Sequence, residues 1–223
     1  MTSTAAVPPV SEPLRDRERT RTEILDVATA EFAERGFSGA RVDEIAAATR
    51  TTKRMIYYYF ANKKQLYIAV LQRAYARIRE AEQQVDVAHL DPVMAIRRIA
   101  ETTFDHHEAN PDFIRLVSVE NIHRAEHVKE LAGQVDLGTP VIQLLAELLQ
   151  RGRAEGLFRA DCDAIDLHMM ISSYCFFRVA NRHTFGAIFG RDLVDSAERG
   201  HYRAMLGDMV VRYLTATATT PAP

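Results

Sequence analysis

The chain has 223 residues, 47% of them hydrophobic and 26% charged, with a net charge of −2, which describes a globular chain of one or two domains with enough apolar content for a real core. No apolar run approaches the ~20 residues needed to span a bilayer, and the N-terminus lacks an apolar segment ending at a small-residue cleavage site, so a cytoplasmic protein that makes no membrane contact is expected. Cys162 and Cys175 form no CxxC pair, which excludes a disulfide framework and the usual cysteine-rich zinc sites.

Charge is sorted along the chain. Residues 14–80 carry five more basic than acidic side chains, and residues 81–223 carry six more acidic than basic. Residues 45–79 contain Arg50, Lys53, Arg54, Lys63, Lys64, Arg73, Arg77 and Arg79 and no Asp or Glu, a footprint that suits a polyanion.

Residues 1–13 and 215–223 are rich in Pro, Ala, Ser and Thr and are expected to be disordered tails. Between them helical periodicity prevails, with no strand-like alternation, hairpin signal or internal repeat, so the predicted fold is all-α. The first helix is predicted over Arg17–Arg35, with Ile24, Ala28 and Phe32 on one face and Gly36 stopping it at φ > 0. A short helix follows over Val42–Ala48, with Asp43 and Glu44 complementing its dipole and Arg41 as a poor cap. After the turn Thr49-Arg50-Thr51, Thr52 caps a third helix, Lys53–Phe60, which buries Ile56 and Phe60.

That burial turns Lys53, Arg54, Tyr57, Tyr58 and Tyr59 outward. Cations for phosphates and amphipathic rings for backbone and thymine methyls suit a DNA major groove, and the pair of short helices reads as a helix-turn-helix with Lys53–Tyr59 as recognition helix. The stretch Thr22–Tyr67, in particular ILDVATAEFAERGF, VDEIAAA and TTKRMIYYYFANKKQLY, closely resembles the DNA-binding domain of the TetR family of repressors. The resemblance implies base reading by Lys53, Arg54 and Met55 and phosphate clamping by Tyr57, Tyr59 and Lys63. With Arg41, Thr52 and Tyr58 these are the candidate DNA-binding residues. The chain departs from the family pattern where Gly-Val gives way to Arg50-Thr51 and where Tyr59 replaces a typical His.

The domain plan is therefore a helix-turn-helix domain over 14–62 and a ligand-binding and dimerisation domain over 63–214. The latter begins with a linking helix, 63–84, whose Leu66, Val70 and Ala74 are expected in the first core. Further helices are predicted over Pro92–Glu108, Pro111–His123, Gly138–Glu155, Ala164–Arg182 and Leu193–Leu214, with Asn110 capping a helix that has Pro111 at its first position. Pro111–His123 is apolar nearly all round and is expected to be central.

Polar groups on these apolar faces mark candidate ligand contacts, as in a mostly apolar small-molecule site: Phe104, His107, Val117, Glu120, Asn121, Tyr174, Phe177, Arg178 and Asn181, with His106 pointing away. Surplus apolar faces on the last two helices suggest a homodimer seam: Ile165, Met169, Ser172, Phe176 and Val179, with Leu193, Leu206, Met209, Val210 and Tyr213. The resemblance places the seam on the same two helices. The expected function is a transcriptional repressor that binds a palindromic operator in double-stranded DNA as a homodimer and is released by a small-molecule effector.

A different class is suggested by His123-Arg-Ala-Glu126-His127, an HxxEH pattern found in zinc peptidases or usable by a metal-responsive regulator. No third metal ligand accompanies it, and no nucleophile elbow, phosphate loop or dinucleotide fingerprint occurs, so neither an enzyme nor a cofactor is expected.

Overall fold

The computed structural model of the protein describes residues 14–216, so the tail expected over 1–13 and residues 217–223 of the tail expected over 215–223 lie outside the described residues, whereas Thr215 ends the last helix instead of opening a tail. Among the described residues the elements are helices: α1 (Leu14–Gly39), α2 (Val42–Ala48), α3 (Lys53–Phe60), α4 (Lys63–Gln83), α5 (Pro92–Ala109), α6 (Pro111–Ile122), α7 (Glu126–Ala132), α8 (Thr139–Ala154), α9 (Ala164–Ala180), α10 (Arg182–Phe189) and α11 (Arg199–Thr215). The chain divides into two compact units between Val70 and Leu71.

In the first unit α1 packs on α2 and α2 on α3. Ile24, Ala28 and Phe32, the face anticipated for α1, are wholly buried, together with Ile45 and Ile56. Gly36 breaks α1 at φ 66° as its sequence position suggested, but a further turn carries the helix on to Gly39. The division falls at Val70 rather than 62 because the start of α4 belongs here. Tyr67 sits 4.8 Å from the Phe32 ring and 5.3 Å from Phe37, and Leu66 and Val70 are fully buried. Ala74, expected with them, packs instead beside Ile78 and Phe113 in the second unit.

Asn62 was missed as a cap; its Oδ1 accepts the Gln65 N–H at 2.9 Å and starts α4. The Arg50 position also has a measurable consequence. Its φ of 52° is a left-handed conformation costly to a residue with a Cβ. Arg50→Gly is expected to stabilise the protein by about 0.5–1 kcal/mol, seen as a higher urea midpoint at unchanged slope. A lower midpoint would mean that the Arg50 side chain itself holds the turn.

In the second unit the centre is α5, which packs on α6, α8, α9 and α11. Its Ile96, Ile99, Ala100 and Phe104 share a core with Leu145 and Leu149 of α8, Leu167, Ile171 and Cys175 of α9, and Leu206, Val210 and Leu214 of α11. The apolar α6 is therefore not central as expected. Its Ile122 is 76% exposed, and its buried side, Phe113 and Ile114, joins Ile78 and Val179 in a smaller cluster. Ion pairs from Asp105 to Arg199 (2.6 Å) and Arg203 (3.0 Å), and from Glu101 to Arg203 (2.9 Å), tie α5 to α11.

Three local expectations are corrected. Asn110 makes no side-chain cap for α6; its amide donates to the His106 carbonyl at 2.8 Å and closes α5. The last long helix begins at Arg199, so Leu193 is a buried loop residue. The short helices α7 and α10 were not anticipated, being too brief for a periodicity to develop.

Candidate nucleic-acid interface and effector cavity

Helix α3, the candidate recognition helix, is fixed from beneath. Thr52, extended at φ −116°, accepts the Met55 N–H at 3.2 Å, and burial of Ile56 and Phe60 sets the rotation of α3. Lys53 and Arg54 are consequently exposed, Met55, Tyr57 and Tyr59 are half-buried, and Tyr58 is 61% exposed. Lys53 Nζ lies 3.1 Å from Asp43 Oδ2, a surface pair worth little in water and easily exchanged for another anion. Arg17 of α1 donates to the Tyr58 hydroxyl and stacks over its ring, while the Tyr58 and Tyr59 rings meet edge to face at 5.4 Å. Arg41 is exposed at the start of α2, its backbone N–H donating to Glu31. Lys63 is not splayed outward: its Nζ donates to the Ser38 carbonyl at 3.3 Å and lies over the Phe37 ring, and burial lowers its pKa.

In the second unit a cavity of about 360 Å³ opens among α4, α5, α6 and α9. Its apolar walls include Ile78, Phe113, Val117, Met169 and Phe176; its polar groups are those of Tyr75, Arg79, His107, Asn121, His168, Ser172 and Ser173. Arg79 is anchored by Glu82, Nη1 to Oε2 2.7 Å, with side chains 14% and 2% exposed. Burial pushes the Glu82 carboxyl up to about 7 against the pull of Arg79. His107 Nδ1 lies 2.9 Å from the Thr103 carbonyl, which can only accept, so Nδ1 carries the proton and Nε2 keeps a lone pair. Burial, then the neighbouring His106, brings His107 down to about 4, and burial followed by Arg79 lowers His168. His106 does not point to solvent as expected. Its ring nitrogens are buried without a hydrogen-bond partner, and burial, then Arg79, also brings it to about 4.

Of the candidate ligand residues, His107, Val117 and Asn121 line this cavity. Glu120 does not: it is buried at the α6–α7 corner, accepting the N–H groups of His127 and Val128 at 3.1 Å each and facing His127 Nδ1 at 3.0 Å. Phe104, Tyr174 and Arg178 form a separate clamp. The Arg178 guanidinium lies 4.0 Å from the Phe104 ring centre and donates to Glu108 and the Leu193 carbonyl, and Tyr174 donates to the Tyr202 carbonyl. Phe177 is 47% exposed, and Asn181 ends α9. The sequence does not single out Arg79 and His168: Arg79 is one member of the basic footprint, and His168 shows only its helical spacing to Ser172.

The residues expected at a dimer seam also separate. Ile165, Met169 and Met209 are exposed, and Ser172, Phe176 and Tyr213 are half-buried. Val179, Leu206 and Val210 lie in the chain's own core and are unavailable to a second copy. Met169, Ser172 and Phe176 line the cavity, so cavity and exposed α9 face share residues.

The HxxEH pattern does not form one helical face. Arg124 and Ala125 take φ of 59° and 57°, ending α6 before α7 begins, so His123 is exposed on one side of the turn and His127 is buried on the other. Among the described residues no cluster of three His, Cys, Asp or Glu is arranged to hold a metal, and no helix is long and apolar enough to cross a membrane.

A helix-turn-helix followed by an all-α unit containing a small-molecule-sized cavity defines a helical transcription regulator. The chain belongs to the TetR family: residues 24–70 match "Bacterial regulatory proteins, tetR family" and residues 92–210 match "Tetracyclin repressor-like, C-terminal domain". It is 32% identical over 197 residues to the HTH-type transcriptional repressor NicS of Pseudomonas putida, covering 88% of this chain and 93% of that one. It is 30% identical over 152 residues to the HTH-type transcriptional activator FasR of Mycolicibacterium smegmatis, covering 68% of each. The crystal structure of SCO4942 from Streptomyces coelicolor superposes with a TM-score of 0.65 at 29% identity, covering 87% of this chain and 98% of that one.

Proposed function

We propose that this protein represses transcription by binding a palindromic operator as a homodimer through α3, and that it leaves the operator when a small molecule fills the cavity of the second unit. The observation that carries the reading is the rotation of α3: with Thr52 capping and Ile56 and Phe60 buried, Lys53, Arg54 and Tyr58 are presented together to solvent. Lys53, Arg54 and Met55 read bases, while Tyr57, Tyr59 and, once released from Ser38, Lys63 hold phosphates.

Exposed Ile165 and Met169 on α9 and Met209 on α11 support a seam between two copies. A two-fold pair places the recognition helices one helical turn of DNA apart, about 34–36 Å, or a multiple of it. Release needs only a ligand that favours a conformer with the wrong spacing; a coupling of about 1–3 kcal/mol loosens DNA by about 5–150-fold. Helices α4 and α6, which contribute Ile78, Arg79, Phe113 and Val117 to the cavity, are the elements expected to respond. Repression is preferred over activation because NicS, similar over nearly the whole chain, bears that name.

The test is selection of the purified protein on a random duplex DNA library, with the mass of the retained complex measured. Enrichment of an inverted repeat carrying an even number of chains is expected. Absence of enrichment at low salt, or enrichment of a site without two-fold symmetry, overturns the reading.

A further inference from the structure

Among the residues that line the cavity, Arg79 is the permanently charged group. No Asp or Glu is among the residues that line it, whereas Arg79, His107 and His168 all do. Arg79 Nη1 lies 2.7 Å from Glu82 Oε2, but the buried Nε and Nη1 of this guanidinium and both Glu82 carboxylate oxygens lack a hydrogen-bond partner. A buried donor left unpaired costs about 1–3 kcal/mol, which a ligand acceptor would recover. Of the remaining polar atoms, the Asn121 amide gives one N–H to the Val117 carbonyl and keeps a second, and both histidines can gain a proton beside a negative charge; the Ser173 hydroxyl already donates to the Met170 carbonyl, and the Ser172 hydroxyl lies 3.3 Å from His168 Nε2. Facing these groups are Ile78, Phe113, Val117, Met169 and Phe176, in a volume within the range of about 300–1,000 Å³ usual for small-molecule sites.

We infer that the cavity is built for an organic acid with an apolar, ring-sized body, its carboxylate held by Arg79 between His107 and His168. The inference rests on the cavity being the effector site and names the effector's chemical class. A single guanidinium already shared with Glu82 matches one negative charge rather than two, which favours a carboxylate over a phosphate ester. A cation meets Arg79 and, among the lining residues, no carboxylate to pair with.

Calorimetry on the full chain tests this without DNA. Three probe sets are compared: benzoate, phenylacetate and 4-phenylbutyrate; the matching amides; and benzylamine with phenethylamine. At least one acid is expected to bind at least about tenfold tighter than its amide, a charge-assisted hydrogen bond being roughly twice as strong as a neutral one. The variant R79M/E82Q removes the ion pair as a unit, so that no buried charge is stranded, and is expected to bind acid and amide alike while keeping the cooperative thermal transition of the parent. V117W, which fills the cavity, is expected to abolish binding of every probe. Acids that bind no better than their amides, or a preference for acids that persists in R79M/E82Q, overturn the assignment. Binding confined to amides or amines and lost in V117W overturns the acid class but leaves the cavity as the effector site. Absence of binding by all three sets overturns both.

Discussion

Arg178→Ala is expected to destabilise the protein by about 3–5 kcal/mol, the largest loss from any single substitution considered, because it strands partners that were desolvated around one guanidinium. Arg178 is 3% exposed. It donates to Glu108 at 3.0 Å and to the Leu193 carbonyl at 2.6 Å, and it lies 4.0 Å from the ring centre of Phe104 and 4.9 Å from that of Tyr202. It thereby fastens α9 to α5, to the loop before α11 and to α11 itself. Removing it leaves Glu108 with only Arg199 and the Leu193 carbonyl without this donor. Urea unfolding followed by circular dichroism measures the effect. Because no Arg178 atom lines the cavity, a folded R178A sample at low temperature should still bind cavity ligands. Loss of less than about 1 kcal/mol would mean that the clamp contributes orientation rather than stability.

The second large effect is on DNA. Lys53→Ala and Arg54→Ala are each expected to weaken the selected operator by about 1–3 kcal/mol, or roughly 5–150-fold, and to relax preference at the base pair each one reads. Neither side chain has much to lose in the free protein. Arg54 is exposed, and the Lys53–Asp43 pair is solvent-accessible on both sides, so stability should change little. Lys63→Ala should behave differently, weakening specific and random duplexes alike and reducing the slope of log affinity against log salt by about one. Fluorescence anisotropy across a salt series separates the two patterns. If K53A and R54A retain the parent's sequence preference, another face reads the bases.

The parts legible in the sequence are those governed by neighbours in the chain. Gly36 breaks a helix because only a residue without Cβ takes φ 66° cheaply, Thr52 caps because its hydroxyl reaches an N–H three residues on, and Ile56 and Phe60 fix the rotation of α3 because four residues return to one face. The outward basic and aromatic face of α3 is therefore a local property, and the chain order of its residues conveys it. The cavity of the second unit is only partly legible. His107, Val117 and Asn121 were anticipated from the faces of α5 and α6, but Arg79 looked like one more member of a basic run, and nothing in sequence ties it to Glu82 and His168 in one site.

Helices α9 and α11 mark the limit. Both are apolar on more than one side, so periodicity establishes that they are helices but not which side turns inward. Leu206 and Val210 go into the core and Met209 stays out, while Val179 is buried and Phe177 exposed. That choice is made by the shape of the surface α5 offers, against which α9 and α11 close-pack, and such complementarity exists only once the helices meet. The sequence by itself determined the helical class, the helix-turn-helix and its outward basic face, since caps, breakers and spacing act within a few residues. Only the tertiary structure decided where the cavity lies, which charges converge on it and which apolar side chains remain for a second copy, since these depend on contacts between residues tens to more than a hundred positions apart.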